Sequence, residues 1–402
     1  MKVTYIGLGY IGLPTAILTA KSGLNTFGVD NNLDKVRSII EGKVSSNEPK
    51  LKEYLIQTLE SKKLNISATF SKSDVFIIVV PTPVDRFKKP DISIVKDAVK
   101  EITPFLEKGN LVIIESTCPV KTTEQMESFI YSLRPELKND IHLAYCPERV
   151  IPGNIFHELE YNDRVVGGTS KESSNKAKSF YENFVKGEIF ITNSRTAEMC
   201  KLTENASRDV QIAFANEISM MSDDLDIDHK ELISLANKHP RVNILNPGIG
   251  VGGHCIAIDP WFLVYDFPNK SKLIKKAREV NVYKTEWCVN QIFNLVNEFS
   301  IQNNRKPKIG CFGLTYKPNV DDLRESPAVE IVSQLIDKKT GDILIVEPNV
   351  KSFNNQNLYD CNLAIEISDI IIFLVNHKEF KNLKITKNKI VFDLCGVNYF
   401  KE

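Results

Sequence analysis

The sequence predicts an α/β protein with two Rossmann-like domains, each built on a parallel-rich sheet, joined by a central helical region that contains a long helix. Three observations lead to this prediction. In the first third of the chain, apolar strand-like segments alternate with amphipathic helical segments. The middle of the chain contains a long helical pattern without Gly or Pro, SRTAEMCKLTENASRDVQIAFANEISMMSDDLDI. The strand and helix alternation resumes after QNNRKPK and continues towards the C-terminus.

The first strand, turn and helix carry the clearest local signal. KVTYIG is typical of a buried strand, LPTAILTAKSG has a helical pattern, and the GxGxxG spacing between them is supplied by Gly7, Gly9 and Gly12. A second strand, NTFGVD, ends at Asp30. Glycines let the backbone approach a pyrophosphate at a helix N-terminus, and an acid in this place binds the ribose hydroxyls and repels a 2′-phosphate. The segment therefore predicts an NAD site, with an ordinary tight turn as the alternative.

The same alternation continues through the first domain. Apolar runs at 74–80, 110–116 and 141–146 predict strands buried on both faces, with helices over 92–107 and from about 120. The loops PTP (81–83) and TCP (117–119) follow two of these strands. Ligands of such sheets bind at the carboxyl ends of the strands, so both loops are candidate binding segments.

The last part of the chain repeats the first. VTYIGLGYIGLP parallels IGCFGLTYKP, SDVFIIVVPTP parallels ISDIIIFLVNH, and NLVIIEST parallels NKIVFDLC. The second copy keeps Gly310 and Gly313 but lacks the full GxGxxG, and its turn carries Tyr316 and Lys317, which indicates a phosphate ligand other than a second NAD. The predicted domains are 1–192 for NAD, 193–300 for the helical region and 301–402 for the second Rossmann-like domain.

Composition excludes several classes of function. The 402 residues carry 51 Lys and Arg against 51 Asp and Glu, so bulk charge does not indicate a nucleic-acid or membrane partner. The eight cysteines include no CxxC pair and are too sparse for a disulfide scaffold, which favours a reducing, cytoplasmic location. No apolar run approaches the length of a membrane span, and the first residues do not resemble a signal peptide. No metal site is predicted.

The segment GIGVGGHCIAIDPWF (248–262) contains four glycines in six positions, followed by Cys255. Because glycine costs conformational entropy and adds nothing to a core, this density indicates a functional loop. A nucleophilic thiol there is the favoured interpretation, and a buried structural cysteine is the alternative. On the long helix, Lys201, Asn205 and Arg208 share one face, which is either a set of substrate ligands or a solvated surface.

These segments together carry a family resemblance. The chain resembles the UDP-glucose/GDP-mannose dehydrogenase family in GVGGHCIAIDPWF, YCPERVIPGN, KLTEN and TYKPNVDDLRESPA, in family order and over nearly its whole length. GGHCIAIDPWF and HPRVNIL most resemble the branch that acts on UDP-N-acetyl-D-mannosamine. The resemblance implies a four-electron, NAD-dependent oxidation of that sugar to UDP-N-acetyl-D-mannosaminuronate for cell-surface polysaccharide synthesis. The substrate carbon would pass through a thiohemiacetal and a thioester on Cys255.

The resemblance also implies roles for individual residues. Lys201 would donate and accept protons, Asn205 would stabilise the oxyanion, and Asp259 would orient the lysine or a water. The family motifs imply NAD contacts at Gly7, Gly9, Tyr10, Ile11, Gly12, Asp30, Lys35, Thr82, Thr117 and Arg324. They imply nucleotide-sugar contacts at Arg149, Val150, Lys201, Asn205, Arg208, His239, Arg241, Gly252, Tyr316 and Lys317. Pro152 stands where UDP-glucose dehydrogenases have a second glutamate, so water activation falls to Glu148 or Asp259.

Other functions remain open at this point. A related enzyme that oxidises UDP-N-acetylglucosamine or UDP-glucose would differ only in its sugar pocket. A non-catalytic nucleotide-sugar sensor is a more distant alternative, disfavoured by the presence of Cys255, Lys201 and Asn205 together. The apolar stripes of the long middle helices, and the family resemblance, predict a homodimer.

Overall fold

A computed structural model describes residues 1–44, 48–151, 153–397 and 399–401. The chain divides into two compact units, one formed by Met1–Glu204 with Trp261–Asp266 and the other by Asn205–Pro260 with Phe267–Glu402. Each unit is built on its own parallel-rich sheet. The predicted fold class, with two such sheets and long central helices, is confirmed.

The first unit is built on an eight-stranded sheet. Its strands are β1 (Lys2–Ile6), β2 (Asn25–Val29), β3 (Leu64–Ser67), β4 (Val75–Ile78), β5 (Leu111–Ile114), β6 (His142–Tyr145), β7 (Arg164–Gly168) and β8 (Ile189–Asn193). They lie in the order β3-β2-β1-β4-β5-β6-β7-β8. The β6–β7 pair is antiparallel and the other neighbours are parallel. The first six strands have the order of a dinucleotide-binding sheet.

Both faces of this sheet are buried, as the uniformly apolar strands predict. Along β4, Val75 and Ile77 pack into one hydrophobic cluster, whereas Phe76 and Ile78 pack into the other. The helices that cover the sheet are α1 (Gly12–Lys21), α2 (Leu33–Ile40), α3 (Leu51–Glu60), α4 (Ser93–Ile102), α5 (Thr122–Leu133), α6 (Ile155–Tyr161) and α7 (Lys171–Tyr181). The predicted helix over 92–107 is shorter than expected, because a 3-10 turn at Thr103–Phe105 with Pro104 follows α4.

The long helix of the middle region is α8 (Ser194–Asp224), and the boundary between the units falls within it. The second unit adds α9 (His229–Ala236) and α11 (Lys272–Asn303), and α10 (Pro260–Asp266) lies between them in the chain. In the second unit, α8 and α11 are joined by buried polar contacts. Arg278 Nη1 lies 2.7 Å from Asp209 Oδ1, and Asn281 donates to the same oxygen. The pairing offsets part of the cost of burying these two charges.

The second sheet has four strands in the order β10-β9-β11-β13, all parallel. They are β9 (Lys308–Phe312), β10 (Asp342–Val346), β11 (Ile370–Phe373) and β13 (Ile390–Asp393), with helices α12 (Pro327–Asp337) and α13 (Cys361–Ile367). A small two-stranded sheet pairs β12 (Leu383–Ile385) with β14 (Tyr399–Lys401). The predicted helix over 325–337 starts later, at Pro327, where Ser326 caps it.

No disulfide joins any of the eight cysteines, all of which lie in the described residues. Within that part of the chain, none of the helices has the length and apolar character needed to span a bilayer.

Candidate active site

The turn between β1 and α1 lies at the carboxyl edge of the first sheet. Gly7 has φ +94°, and its N–H donates to Val29 O at 2.8 Å. A Cβ on Gly7 would meet the main chain of Val79, and a Cβ on Gly12 would meet the carbonyl of Gly7. A Cβ on Gly9, by contrast, would have no atom within 4 Å. Two glycines are therefore required by the turn itself, and the third leaves open space above the N-terminus of α1.

Asp30 lies at the end of β2, beside this turn. Its Oδ2 accepts hydrogen bonds from Leu8 N at 2.9 Å and from Lys35 Nζ at 2.8 Å, while Oδ1 accepts from Asn32 N. Burial raises the pKa of Asp30, but the hydrogen bonds outweigh it and leave the pKa below the usual aspartate range. Asp30 is therefore ionised at neutral pH, as an acceptor for ribose hydroxyls must be.

The turn fits a dinucleotide. It offers an open glycine, the positive end of the α1 dipole for a diphosphate, and an ionised carboxylate at the neighbouring strand end. Tyr10 is exposed and Ile11 half-buried in the same turn, and Thr82 and Thr117, both half-buried, follow β4 and β5. All of these predicted NAD contacts follow strands that end at one edge of a single sheet.

Lys201 and Glu148, both in the first unit, are in direct contact. The Lys201 ammonium donates to the main-chain oxygen of Glu148 at 2.6 Å. The Glu148 carboxylate accepts from Arg149 N through Oε1, and its Oε2 lies 3.6 Å from Nη2 of the buried Arg164. The lysine predicted to transfer protons and the candidate base therefore share one small region. Pro152, which stands where UDP-glucose dehydrogenases have a second glutamate, lies outside the described residues.

Arg149, a predicted sugar ligand, is held by Glu204. Its Nη2 lies 2.7 Å from Glu204 Oε1, its Nε donates to Oε2, and its Nη1 donates to Asp163 O. Val150 is half-buried against the hydrophobic cluster of the first sheet. Glu204 was not among the predicted site residues, although it lies within the quoted KLTEN motif.

The glycine-rich loop of the second unit is anchored by the two long helices. Gly248 N donates to Asn216 Oδ1 on α8 at 2.8 Å, and Thr285 Oγ1 on α11 donates to Ile249 O at 2.8 Å. Gly250, with φ +126°, lies against the side chain of Thr285. The loop that carries Cys255 is therefore rigidly attached at its first three residues.

Cys255 begins a tight turn that ends at Asp259. The Cys255 carbonyl accepts hydrogen bonds from Ile258 N at 3.0 Å and Asp259 N at 2.8 Å. The Asp259 side chain, buried at 3% exposure, accepts a 2.5 Å hydrogen bond from Asn205 Nδ2. Three predicted catalytic residues, Cys255, Asp259 and Asn205, are thus connected in the second unit.

The TYKPNVDDLRES segment packs directly on the glycine loop. Gly253 N donates to Arg324 O at 3.2 Å, and a Cβ on Gly253 would lie 2.7 Å from the Tyr316 ring. The nucleotide-sugar contact that the family motifs imply at Gly252 stays a prediction. In the structure, the group that approaches the glycine backbone is the protein's own Tyr316.

Arg324 and Tyr316 both interact electrostatically with Cys255. Burial, then Asp322 and Cys255, raise the pKa of Tyr316 to about 12, so this hydroxyl stays protonated at neutral pH. Arg324 forms a two-pronged pair with Asp322, with Nη2–Oδ2 at 2.6 Å. This contact, followed by Tyr316 and Cys255, raises the pKa of Arg324. Arg324 is thus a cation near Cys255 whose charge is shared with the Asp322 carboxylate.

The remaining predicted sugar ligands lie in exposed or half-exposed positions of the second unit. Arg208, His239 and Arg241 are exposed, with Arg241 N donating to His239 Nδ1, and Lys317 is half-buried next to the Tyr316 ring. Arg324, a predicted NAD contact, has Asp322 as its partner within this unit. Sequence reasoning missed Asp322, whose only signal was its place two residues before Arg324.

Three family models match the chain in succession. The NAD-binding domain of the UDP-glucose/GDP-mannose dehydrogenase family matches residues 1–185, its central domain 195–283 and its UDP-binding domain 310–399. These matches span most of the chain and support both an NAD site and a UDP-sugar site. The cofactor prediction is confirmed.

Individual relatives match the chain over nearly its whole length and are themselves nucleotide-sugar dehydrogenases. The UDP-N-acetyl-D-mannosamine dehydrogenase of Escherichia coli K12 is 45% identical, with 94% of each chain covered. The NDP-N-acetyl-D-galactosaminuronic acid dehydrogenase of Ralstonia nicotianae is 43% identical, covering 98% of this chain and 96% of the relative. The solved structure of the UDP-D-ManNAc dehydrogenase of Pyrococcus horikoshii has a TM-score of 0.89 at 36% identity, covering 98% and 99%. The chain belongs to the UDP-glucose/GDP-mannose dehydrogenase family and is an NAD-dependent nucleotide-sugar 6-dehydrogenase.

Proposed function

We propose that this enzyme oxidises UDP-N-acetyl-D-mannosamine to UDP-N-acetyl-D-mannosaminuronate in two steps that share one active-site thiol. The observation that carries the chemistry is the connected set of Cys255, Asp259 and Asn205, in which a thiol, a carboxylate and an amide occupy one anchored turn and the helix beside it. The choice of sugar rests on the GGHCIAIDPWF and HPRVNIL motifs and on relatives of that name. The product would supply cell-surface polysaccharide synthesis.

The thiol of Cys255 makes the second oxidation possible. NAD, when bound, supplies the hydride acceptor for both oxidations. Cys255 attacks the C6 aldehyde through its thiolate, and the new oxygen anion takes a proton, which gives a thiohemiacetal. Loss of the hydroxyl proton and of the C6 hydride leaves a thioester, and water then releases the acid and the thiol. A free aldehyde lacks the oxygen anion that expels a hydride, so the thiol adduct is required.

Lys201 transfers the protons, and Asn205 stabilises the negative charge that develops on oxygen. Lys201 takes the hydroxyl proton of the alcohol in the first oxidation and moves protons at the same oxygen in the second. The amide of Asn205 donates a hydrogen bond to the oxygen anion, where one such donor contributes about 3–4 kcal/mol. Asp259 holds the Asn205 amide through the 2.5 Å hydrogen bond and fixes the direction of that donor.

Glu148 activates the water that hydrolyses the thioester. It is in the first unit, where the Lys201 ammonium donates to its main-chain oxygen and the Arg164 guanidinium lies 3.6 Å from its Oε2. With proline at position 152 instead of a second glutamate, Glu148 is the base we propose within this segment.

We further propose that the enzyme is a homodimer and that its functional domains follow the division 1–192, 193–300 and 301–402. An apolar stripe is formed by Phe214 and Met221, seven residues apart on α8, and by Leu225 in the turn directly after the helix, each at least half exposed. Such a stripe has the spacing of a helix–helix contact. Light scattering that finds only a monomer would contradict this assignment.

A panel of nucleotide sugars tests the substrate. Purified enzyme is assayed for NADH with UDP-N-acetylmannosamine, UDP-N-acetylgalactosamine, UDP-N-acetylglucosamine and UDP-glucose. We expect the highest kcat/KM with the first, by at least about tenfold, because one polar contact made or lost is worth about 1–2 kcal/mol. A higher kcat/KM with UDP-N-acetylgalactosamine would instead assign that nucleotide sugar as the substrate, which the name of the Ralstonia relative favours. Binding without NADH from any sugar would indicate a sensor.

Cys255→Ala tests the covalent step. The wild type should produce two NADH per acid with little free aldehyde, whereas the variant should lose acid formation because the aldehyde is no longer held as a hydride donor. Cys361→Ala is the matched control, since Cys361 is also half-buried in the second unit and burial raises its pKa to about 11. Acid formation by Cys255→Ala at the rate of Cys361→Ala would show that the thiol is not the nucleophile.

A further inference from the structure

A row of buried polar side chains lies between α8 and α11 of the second unit and ends at the loop that carries Cys255. The row consists of Arg278, Asp209, Asn281 and Asn216, each of which is at most 3% exposed. Arg278 and Asn281 belong to α11, whereas Asp209 and Asn216 belong to α8. Buried polar groups are costly unless they are paired, so the hydrogen bonds along this row indicate what it holds in place.

The hydrogen bonds of the row all point in one direction. The Asp209 carboxylate, paired with Arg278, is an acceptor, so Asn281 turns its amide N–H groups towards it, with Nδ2–Oδ1 at 2.8 Å. The amide oxygen of Asn281 then accepts from Asn216 Nδ2 at 2.9 Å. This leaves the amide oxygen of Asn216 for the N–H of Gly248, at 2.8 Å. The buried ion pair therefore determines which way both amides face.

Asp209 carries its charge because Arg278 requires an anion. A guanidinium stays charged in proteins, and this one is buried with its Nη1 at 2.7 Å from Asp209 Oδ1. Burial raises the pKa of Asp209, and the charge of Arg278 is the largest effect that opposes the rise. Protonation of Asp209 would leave the guanidinium buried without its counter-charge, which is strongly unfavourable. The row thus starts from a carboxylate.

The other end of the loop is held from the same face of α8. Asn205 donates to the side chain of Asp259, the last residue of the turn that Cys255 begins. Asn205 and Asn216 are about three turns apart on α8, so they share one face and are separated by about 16 Å along the helix axis. One helix therefore holds both ends of the segment from Gly248 to Asp259.

We propose that Asn216 and Asn281 are positioning residues for Cys255, Asn216 through its bond to the loop and Asn281 through Asn216. The inference rests on the proposed role of Cys255 as the nucleophile. By fixing where the loop starts on α8, the row holds the sulfur where it captures the C6 aldehyde before the aldehyde escapes. A displacement of about 1 Å can slow such an attack by about a hundredfold. Neither amide touches the substrate in this scheme.

The fate of the aldehyde tests this role. A correctly placed thiol captures the aldehyde, whereas a displaced thiol lets more of it escape. We expect Asn216→Ala and Asn281→Ala each to raise the ratio of released aldehyde to acid by at least about tenfold. Full-length enzyme is given NAD and the sugar with the highest kcat/KM in the panel, the aldehyde is trapped with semicarbazide, and both products are quantified by mass spectrometry. This ratio does not depend on how much of the enzyme is folded.

Hydrogen exchange reports on the loop itself, without substrate. Loss of the Asn216 amide, or of the Asn281 amide that orients it, should speed exchange in residues 246–254 by about tenfold and leave exchange in α9 unchanged. The double variant should behave like Asn216→Ala alone, because Asn281 acts through Asn216. Additive effects, or wild-type exchange and aldehyde ratio in Asn281→Ala, overturn the inference.

Lys284→Met is the matched control. Lys284 is also buried, at 4% exposure, and its bond to Ser219 Oγ at 2.9 Å joins the same two helices without involving the loop. This variant should change Tm and leave both the aldehyde ratio and the loop exchange at wild-type values. If Asn281→Ala does not fold, Asn281→Ser is measured in its place, because the shorter hydroxyl cannot bridge Asp209 and Asn216.

Cys255→Ala separates this inference from the function on which it rests. If that variant forms acid at the rate of Cys361→Ala, the proposed nucleophile is wrong and the inference falls with it. If Cys255→Ala loses acid formation while Asn281→Ala keeps the wild-type ratio of aldehyde to acid, the nucleophile stands and only the positioning role is wrong.

Discussion

The two Rossmann-like turns of the molecule have the same backbone and different chemistry. Gly7 in GLGYIG and Gly313 in GLTYKP have φ values of +94° and +98°. Each donates its N–H to the last residue of the neighbouring strand at 2.8 Å. In each turn, an acid at the end of that strand accepts the N–H of the following leucine, Asp30 from Leu8 at 2.9 Å and Glu347 from Leu314 at 2.7 Å.

The difference lies in what remains for a ligand. Gly12 lets α1 begin directly after the first turn, whereas Pro318 follows the second and α12 begins only at Pro327. Asp30 shares its charge with a half-exposed lysine, but Glu347 is enclosed by Thr315 N, Asn349 N and the buried His377. We therefore expect the first acid, with its half-exposed lysine, to face a ribose, whereas the second is enclosed by the protein. One turn geometry is therefore compatible with two different nucleotide ligands.

The largest expected effect comes from adding a methyl group at either turn. Gly7→Ala would meet the main chain of Val79 and should weaken NAD binding by at least about a hundredfold, because the strained φ alone costs about 1–2 kcal/mol and the clash adds to it. Gly313→Ala would meet Val375 and should weaken UDP binding instead. Calorimetry with NADH and with UDP, each alone, measures both.

Gly23→Ala is the matched control for this pair. Gly23 also has φ +94°, but an added Cβ there would have no atom within 4 Å. It carries the backbone strain without the clash, so it should lower Tm and leave both affinities near wild type. Loss of both ligands in both turn variants would show that the two turns do not act separately.

The second effect is on cofactor choice. Asp30→Ala should reduce kcat/KM for NAD by about 10–100-fold, since hydrogen bonds to a charged group contribute about 1.5–3 kcal/mol. NADP should lose less or gain, because the repelling carboxylate is gone and Lys35 stays near the 2′ position. Asp34→Ala, an exposed acid on the following helix, should leave the ratio of NAD to NADP unchanged. An unaltered ratio in Asp30→Ala would remove Asp30 from the specificity site.

The comparison also shows what the sequence predicts well. Gly7, Gly9, Gly12 and Asp30 form a local pattern, in which strand, turn and helix follow each other within about thirty residues. The partial repeat at Gly313 was equally visible, and both turns formed where predicted. Local backbone geometry is encoded locally, so it can be inferred without tertiary information.

The contacts of the candidate site were less predictable. That Arg164 lies beside Glu148 depends on the antiparallel reversal of β7, and the apolar pattern of RVVGG does not reveal strand direction. The packing of the Tyr316 ring on Gly253 joins segments that are more than sixty residues apart in sequence. Neither charge pairing nor ring packing over such separations leaves a periodic signal.

The smallest effect is expected at the second acid, and it falls on stability. Glu347→Gln keeps the shape of the side chain but weakens the contacts to Leu314 N and His377. The expected cost is about 1–3 kcal/mol, which is a few degrees in Tm. NAD affinity should not change, because the residue serves only its own turn. Asp342→Asn, an exposed acid that opens β10, is the control and should have no effect.

The pH dependence of this loss of stability follows from the direction in which folding shifts the pKa of Glu347. Burial raises the pKa of Glu347, but the His377 hydrogen bond and charge, with the backbone N–H groups, outweigh it and hold the pKa below the usual value of 4.5. A carboxyl whose pKa is lowered by folding stabilises the protein above its unfolded pKa and loses that contribution as the pH falls. The Tm difference between wild type and Glu347→Gln should therefore be full at pH 7 and shrink below about pH 4.5. A difference that grows on acidification would show that the carboxylate is not the form that holds the second turn.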